Sequence, residues 1–306
     1  MEELMALFDL SYNPQDRQLT RKEIIRGTSG KEGLISMLSD PIDKEVIHAG
    51  PTLKVIANYA VGYNNIDLEA ATARKILVTH TPGVLSETTA DLVWALILAV
   101  GRRLIEGDRL VRSGRWKGWA PTQFLGSDIH GKTLGIVGMG HIGKAVARRA
   151  RGFSMQVLYY NRARLDPALE RELDAHSVSF EYLLANADYL TLHVPLNAQT
   201  HHLIGKQELL RMKPTAYLIN TSRGPVVEEK ALIEILQKGR LAGAGLDVFE
   251  HEPRISAKLL RLKNVVLLPH VGTASAETRI RMGLIVAKNL KAVFEGRVPP
   301  HPVNPF

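Results

Sequence analysis

The stretch "TLGIVGMGHIGKAVARRA", residues 133–150, decides how the rest of the chain is read. It starts as an apolar run, turns at three glycines and continues with helix-forming residues. Gly138, Gly140 and Gly143 keep the spacing G-x-G-x-x-G. The first glycine permits a tight turn, the second lets backbone approach a pyrophosphate, and the third lets the helix pack closely on the strand. The helix then aims its first N–H groups at that phosphate. A glycine triplet alone is often only a turn. Here a strand, a helix and a further strand surround it in the order of a dinucleotide-binding βαβ unit.

That further strand, "MQVLYY" (155–160), runs out into Asn161, Arg162, Ala163 and Arg164. An acid at this place would grip the ribose 2′-OH of NAD and repel the 2′-phosphate of NADP. Asn161 does not repel it, and Arg162 and Arg164 offer charge-assisted donors. The reading predicts NADP(H) preferred over NAD(H) by about tenfold or more, ~1.4 kcal/mol, with NAD(H) still possible. The plain alternative is a solvated basic loop.

Outward from the loop, strand-length apolar runs alternate with helix-length segments. "GLISML" (33–38), "LKVIAN" (53–58) and "ILVTH" (76–80) precede it; "DYLTLHV", "TAYLIN", "AGAGLDV" and "NVVLLP" follow. Helices are predicted near 41–49 and 67–75. A long apolar helix is predicted over about 87–104, before a polar, Trp-containing connection over 113–129. Near-continuous apolar runs mark buried parallel strands. Repeated βα units give an α/β fold with doubly wound parallel sheets. At 306 residues the chain is too long for one ordinary domain, so two are expected. The last helix, about 274–295, is predicted to pack back on the first domain. Helices near 86–104 and 274–295 would then cross between domains and act as a hinge.

Composition excludes several classes. No apolar run reaches the roughly 18 residues of a membrane span, and "MEELMALF" lacks the basic start and cleavage site of a signal peptide. The absence of cysteine rules out disulfides and thiol catalysis and suits the cytoplasm. The net charge of 39 − 31 = +8 comes without a nucleic-acid reading motif, so neither nucleic acid nor membrane is an expected partner. His201 and His202 are adjacent rather than helically spaced and H-E-x-x-H is missing, so no metal site is expected.

Three later strand ends carry residues suited to hydride transfer. "LINTSRGPVV" bears Arg223, "GLDVFEHEP" bears Asp247, Glu250 and Glu252, and "VVLLPHVGTAS" bears His270 followed by Gly272. Ligands of open α/β sheets bind at the carboxyl ends of strands. Carbonyl reduction needs a cation for a substrate carboxylate, a group that delivers a proton, and a partner that fixes that group's tautomer. Arg, His and Glu meet these needs. Each has a duller reading: a surface ion pair for Arg223, one of several loop acids for Glu252, a buried satisfied histidine for His270.

Taken together, "VIANYAVGYNNID", "GIVGMGHIG", "LINTSRGPVV", "AGAGLDVFEHEP" and "LLPHVGTAS" resemble the D-isomer-specific 2-hydroxyacid dehydrogenases, most closely their glyoxylate/hydroxypyruvate reductase branch. The resemblance covers nearly the whole chain. It implies a Rossmann cofactor domain, 86–273, inserted in a flavodoxin-like substrate domain formed by 1–85 and 274–306. It implies Arg223 on the substrate carboxylate and carbonyl, His270 as the acid, and Glu252 bonded to His270. Val61 and Gly62 would offer backbone N–H groups to the carboxylate. The cofactor would be lined by Thr89, Gly138, Met139, Gly140, His141, Ile142 and Gly143. Further lining would come from Asn161, Arg162, Ala163, Arg164, Val194, Pro195, Thr221, Ser222, Arg223, His270 and Gly272, with Asp247 at the nicotinamide carboxamide. A homodimer built on the long helices and the Trp-containing connection is also implied.

The chain departs from the family pattern at its start. Met1 falls inside what resembles the first helix, with no strand before it. The expectation is a substrate domain short of one pairing partner, made more heat-stable by about a dozen added upstream residues. Competing readings are a different substrate, such as 3-phosphoglycerate, or a cofactor-sensing protein like the carboxyl-terminal-binding corepressors, which share these residues.

Overall fold

The computed structural model describes residues 2–305; Met1 lies outside them. The chain divides into two units, Met1–Leu85 with Ala274–Phe306, and Ser86–Thr273.

The first unit is built on a three-stranded parallel sheet, β1 (Gly33–Ser36), β2 (Val55–Asn58) and β3 (Leu77–Thr79), in that order. Side chains alternate across a strand, and here both faces are covered. Ile56 and Val78 pack with Ile24, Val46 and Ile47 from α2 (Arg21–Thr28) and α3 (Lys44–Ala49), and with Ala71 from α4 (Leu68–Ala73). Val55, Ala57 and Leu77 face the other way, onto Leu4 of α1 (Glu2–Leu7) and Val286, Ala287 and Leu290 of α13 (Ala276–Phe294). Sequence patterning did not single out α2, although its "TRKE" start is a capping box: Thr20 accepts from the Glu23 N–H while Glu23 accepts from the Thr20 N–H. After α13 the chain returns to β3. Val303 N–H donates to the Val78 carbonyl, Asn304 Oδ1 accepts from the Val78 N–H at 2.7 Å, and Asn304 Nδ2 donates to the Ile76 carbonyl at 2.8 Å.

The second unit holds seven parallel strands. They are β4 (Thr133–Val137), β5 (Gln156–Tyr160), β6 (Ala175–Ser177), β7 (Tyr189–Leu192), β8 (Tyr217–Asn220), β9 (Gly243–Leu246) and β10 (Val265–Leu267). Their spatial order is β6-β5-β4-β7-β8-β9-β10. The order reverses between β4 and β7, which makes a crevice at the carboxyl ends of those strands. Leu134, Ile136, Val157, Tyr159, Tyr217 and Ile219 face α5 (Ser86–Gly101) and α7 (His141–Ala150). Leu158, Leu190, Leu192, Leu218 and Leu246 face a second core completed by α9 (Phe180–Asn186), α10 (Lys206–Arg211) and α11 (Glu229–Gln237).

Two local readings change. β6 was not foreseen from the sequence, because His176 and Ser177 are exposed on an edge strand and carry no apolar run. The long helix predicted over 87–104 ends at Gly101, and a separate α6 (Leu104–Arg112) follows. The cause is local: Ser127 N–H takes the Gly101 carbonyl at 2.8 Å, and Arg103 adopts the left-handed region, φ 53°. α5 packs within the second unit and α13 within the first. Among the described residues no helix is long and apolar enough to cross a membrane.

Candidate active site

All seven strands of the second sheet are parallel, so the residues that follow them lie along one edge. After β4, Gly138 takes φ +95°, and a Cβ there would meet the His193 backbone at 2.9 Å. A Cβ on Gly143 would lie 2.3 Å from the Gly138 carbonyl oxygen, so helix α7 packs against its own turn only with glycine. At Gly140 a Cβ would meet nothing within 4 Å. The middle glycine thus borders open space, as a phosphate approaching the helix N-terminus requires. Met139 is buried, whereas His141 is exposed and Ile142 half-buried at the start of α7.

The loop after β5 is tied down at several points. Asn161 Oδ1 accepts from the Met139 N–H at 3.3 Å and its Nδ2 donates to the Ala163 carbonyl at 2.8 Å. The two arginines behave differently. Arg164 makes two hydrogen bonds to Glu170, at 2.9 and 2.8 Å. Glu170 is only 8 % exposed and also accepts from the Tyr159 hydroxyl at 2.5 Å, while that hydroxyl accepts from the Leu165 N–H. The Arg164 and Tyr159 bonds hold the Glu170 carboxyl down to about 2. Arg164 is therefore a strut of the loop. Arg162 is exposed, with no ion-pair partner among the described residues.

At the ends of β7 and β8 the same sheet edge continues with Val194 and Pro195, then Thr221 and Ser222. His193 Nε2, Thr221 Oγ1 and Thr89 Oγ1 are buried without a hydrogen-bond partner. Buried polar atoms are normally paired, so three orphans on or beside the edge that carries the glycine loop fit a polar ligand. Burial pushes the His193 imidazole down to about 3. Sequence reasoning did not single out His193, although it ends an apolar strand just as His270 does. These observations, with the open space at Gly140, fit a bound nicotinamide dinucleotide.

The remaining strand ends carry the reactive side chains. Asn220 closes the turn after β8: its Oδ1 accepts from Ser222 N–H and Oγ–H, and its Nδ2 donates to the Arg223 carbonyl. A Cβ on Gly224 would run into the Phe249 carbonyl at 1.8 Å, so glycine lets this turn lie directly on the loop that carries Glu252. Burial lowers the Arg223 guanidinium pKa, and the charge of Glu252 opposes the fall. Glu252 Oε1 accepts from the Phe249 N–H at 2.9 Å and Oε2 pairs with His270 Nδ1 at 2.8 Å. Burial pushes the Glu252 carboxyl up, but its bonds to His270 and Phe249 and the Arg223 charge outweigh that and keep it below its ordinary value. A carboxylate on Nδ1 fixes the tautomer, with the proton on Nδ1 and Nε2 facing other partners. His270 itself sits at φ +56°, a sparsely populated backbone region that accompanies functional sites.

Asp247 is 1 % exposed, and burial raises its pKa. Its oxygens accept from the Val271 and Gly272 N–H groups at 2.7 and 2.8 Å, so it anchors the turn that carries His270. Thr89 on α5 borders Gly272. The second unit thus brings Arg223, Glu252, His270, Asp247, Gly272 and Thr89 together. Val61 and Gly62 belong to the first unit, after β2. Among the described residues no group of three or more His, Asp or Glu side chains is arranged to hold a metal ion.

The chain is similar to known proteins in sequence and fold. Residues 94–272 match the family model "D-isomer specific 2-hydroxyacid dehydrogenase, NAD binding domain". A glyoxylate reductase of Thermococcus litoralis is 55 % identical over 277 residues, 89 % of this chain and 83 % of that protein. One from Korarchaeum cryptofilum is 52 % identical over 97 % of this chain and 90 % of its own. Among solved structures, the NADPH-dependent glyoxylate/hydroxypyruvate reductase of Sinorhizobium meliloti, in complex with NADP and malonate, superposes with a TM-score of 0.83. It is 37 % identical and covers 89 % of this chain and 83 % of that one. With its glycine loop, its carboxylate-held histidine and these relatives, the chain belongs to the D-isomer-specific 2-hydroxyacid dehydrogenase family.

Proposed function

We propose that this enzyme reduces a small 2-oxo acid, glyoxylate or hydroxypyruvate, to the 2-hydroxy acid, with NADPH preferred to NADH. The observation that carries the reading is the 2.8 Å Glu252–His270 pair on the same sheet edge as the glycine loop. A bound reduced nicotinamide supplies the hydride to the carbonyl carbon. Nε2 of His270 delivers the proton to the carbonyl oxygen, and Glu252 stabilises the imidazolium that precedes this transfer. Arg223 holds the substrate carboxylate and polarises the carbonyl; its guanidinium, poorly solvated, favours an anionic partner. Val61 and Gly62 of the first unit carry backbone N–H groups suited to a carboxylate. Gly138–Gly143 cradle the pyrophosphate, with Val194, Pro195, Thr221 and Ser222 along the cofactor and Asp247 setting the turn at its nicotinamide end. Arg162 pairs with the 2′-phosphate.

We place a second copy of the chain on α6 and the segment after it. No residue of α6 is buried, and Leu104, Val111, Trp116, Trp119 and Leu125 are all more than half exposed. Large apolar side chains left exposed along one stretch of chain suit an association surface. Light scattering at micromolar concentration should give twice the chain mass, reduced to one chain in Trp119→Glu.

The functional test is a panel of 2-oxo acids assayed with NADPH and with NADH. Turnover of glyoxylate or hydroxypyruvate, faster with NADPH, is expected. Absence of turnover with every 2-oxo acid and both cofactors rejects the reading.

A further inference from the structure

In the first unit, three consecutive carbonyls of the loop after β2 are each tied by a separate donor. Thr81 N–H donates to the Ala60 oxygen at 2.9 Å. His80 Nδ1, next to a carbonyl oxygen, must carry its proton and donates to Val61 at 2.9 Å. Asn58 Nδ2 donates to Gly62 at 2.9 Å. The donors come from the ends of two paired strands, β2 and β3. Neither side-chain donor is loose. Ser36 Oγ donates to Asn58 Oδ1 at 3.0 Å, which fixes the amide so that Nδ2 is the group left for Gly62. The His80 backbone is held on both sides, its N–H by the His301 carbonyl and its own carbonyl by Asn289 Nδ2, and its ring stands edge-on to Tyr63 at 5.8 Å. With the carbonyls engaged, the N–H groups of Val61 and Gly62 have no acceptor among the described residues. Backbone N–H groups left unpaired beside tied carbonyls are suited to an anion.

We propose that His80 is a positioning residue for substrate, supported by Asn58: His80 on the Val61 carbonyl fixes the peptide plane that carries the Gly62 N–H, Thr81 N–H on the Ala60 carbonyl fixes the plane that carries the Val61 N–H, and Asn58 pins the far end of the loop at the Gly62 carbonyl, so that both N–H groups are preset for the carboxylate of a 2-oxo acid. This rests on the functional reading above and adds which side chains set substrate affinity. Neither residue touches reacting atoms, so the effect falls on KM rather than kcat.

Geometry supplies a discriminating series at His80. The Nδ1 atom of histidine and the Nδ2 atom of asparagine sit the same number of bonds from the backbone. His80→Asn therefore retains a donor to Val61, His80→Leu removes it, and His80→Gln moves it one bond outward. With saturating NADPH, His80→Leu should raise KM for glyoxylate about tenfold, with kcat changed less than about twofold. The inhibition constant of oxalate should rise in parallel, and KM for NADPH should not move. His80→Asn should bring the glyoxylate KM back to within about threefold of the parent, and His80→Gln should not. If the leucine variant does not fold, the Asn and Gln pair alone decides. Equal KM values across the folded variants overturn the proposal, as does a loss in Asn equal to that in Gln, which would mean that the ring only packs. A parent enzyme that turns over no 2-oxo acid overturns instead the functional reading, and this inference with it.

Discussion

The two ends of the seven-stranded sheet solve different problems with different materials. Around β4 and β5 the backbone is the working part: three glycines, a helix N-terminus, and side chains such as Asn161 and Arg164 that tether loops. Around β8, β9 and β10 the side chains are the working part, and each ionisable one is held by a named neighbour, His270 by Glu252 and Asp247 by two N–H groups. A pyrophosphate is large, permanently charged and satisfied by fixed dipoles. A proton transfer needs one group at one protonation state and orientation, which a carboxylate can impose and a backbone loop cannot.

If that division is right, substitutions at the two ends should separate cleanly in kinetics. The largest effect is expected from His270→Gln, with kcat lowered about a thousandfold while the dissociation constant for NADPH stays within about twofold. Fluorescence titration beside steady-state assays checks both. A comparable loss of NADPH affinity would break the comparison. Glu252→Gln should lower kcat less, roughly a hundredfold, because the amide oxygen still accepts from Nδ1 and keeps the tautomer but contributes no charge to an imidazolium.

At the other end, the contrast between two neighbouring arginines sharpens the point. Arg162→Ala should cut kcat/KM for NADPH about tenfold and leave NADH nearly unchanged. Arg164→Ala should lower the melting temperature and alter the NADPH/NADH ratio by less than about threefold, since its charge is spent on Glu170. Equal losses of discrimination in both variants would show that Arg164 leaves Glu170 for the phosphate.

The smallest expected effect is on stability against pH. His193 is buried neutral, with a pKa near 3 in the folded chain against an ordinary 6.5. Between these values the unfolded chain binds the extra proton, so stability is full above pH 6.5 and falls as pH drops toward 3, by at most about 1.4 kcal/mol per pH unit. Glu170 adds a second loss of the same sign, starting near 4.5 and running toward about 2. Between pH 6.5 and 5 His193 acts alongside His301, whose imidazole burial also pushes down, so in chemical denaturation His193→Gln should reduce the slope of that part of the curve without abolishing it.

The sequence makes the backbone-working end legible and the side-chain tethers much less so. Glycine spacing and apolar runs are local signals, so the βαβ unit and most strands can be read directly. His270, Glu252 and Arg223 are read from motifs as a set, although spacing alone leaves each with a dull alternative. What escapes is whatever depends on burial. Arg162 and Arg164 look alike until Glu170, six residues beyond Arg164, is seen buried against the Tyr159 hydroxyl. The end of α5 at Gly101 escapes for the same reason, since Ser127, far along the chain, takes its last carbonyl. In the sequence His80 is only the last letter of the apolar run "ILVTH". Its bond to Val61 joins residues 19 apart and leaves no periodic trace.

The side chain of Asn304 does for β3 what another strand would do: it accepts from one backbone N–H and donates to the carbonyl two residues away. An open rim of this kind invites pairing with other molecules. Together with the backbone of residues 301–303, which bonds Val78 and His80 along the same rim, this amide acts as a stopper against fibril-like growth, and Asn304→Ala should aggregate on mild heating sooner than the parent chain.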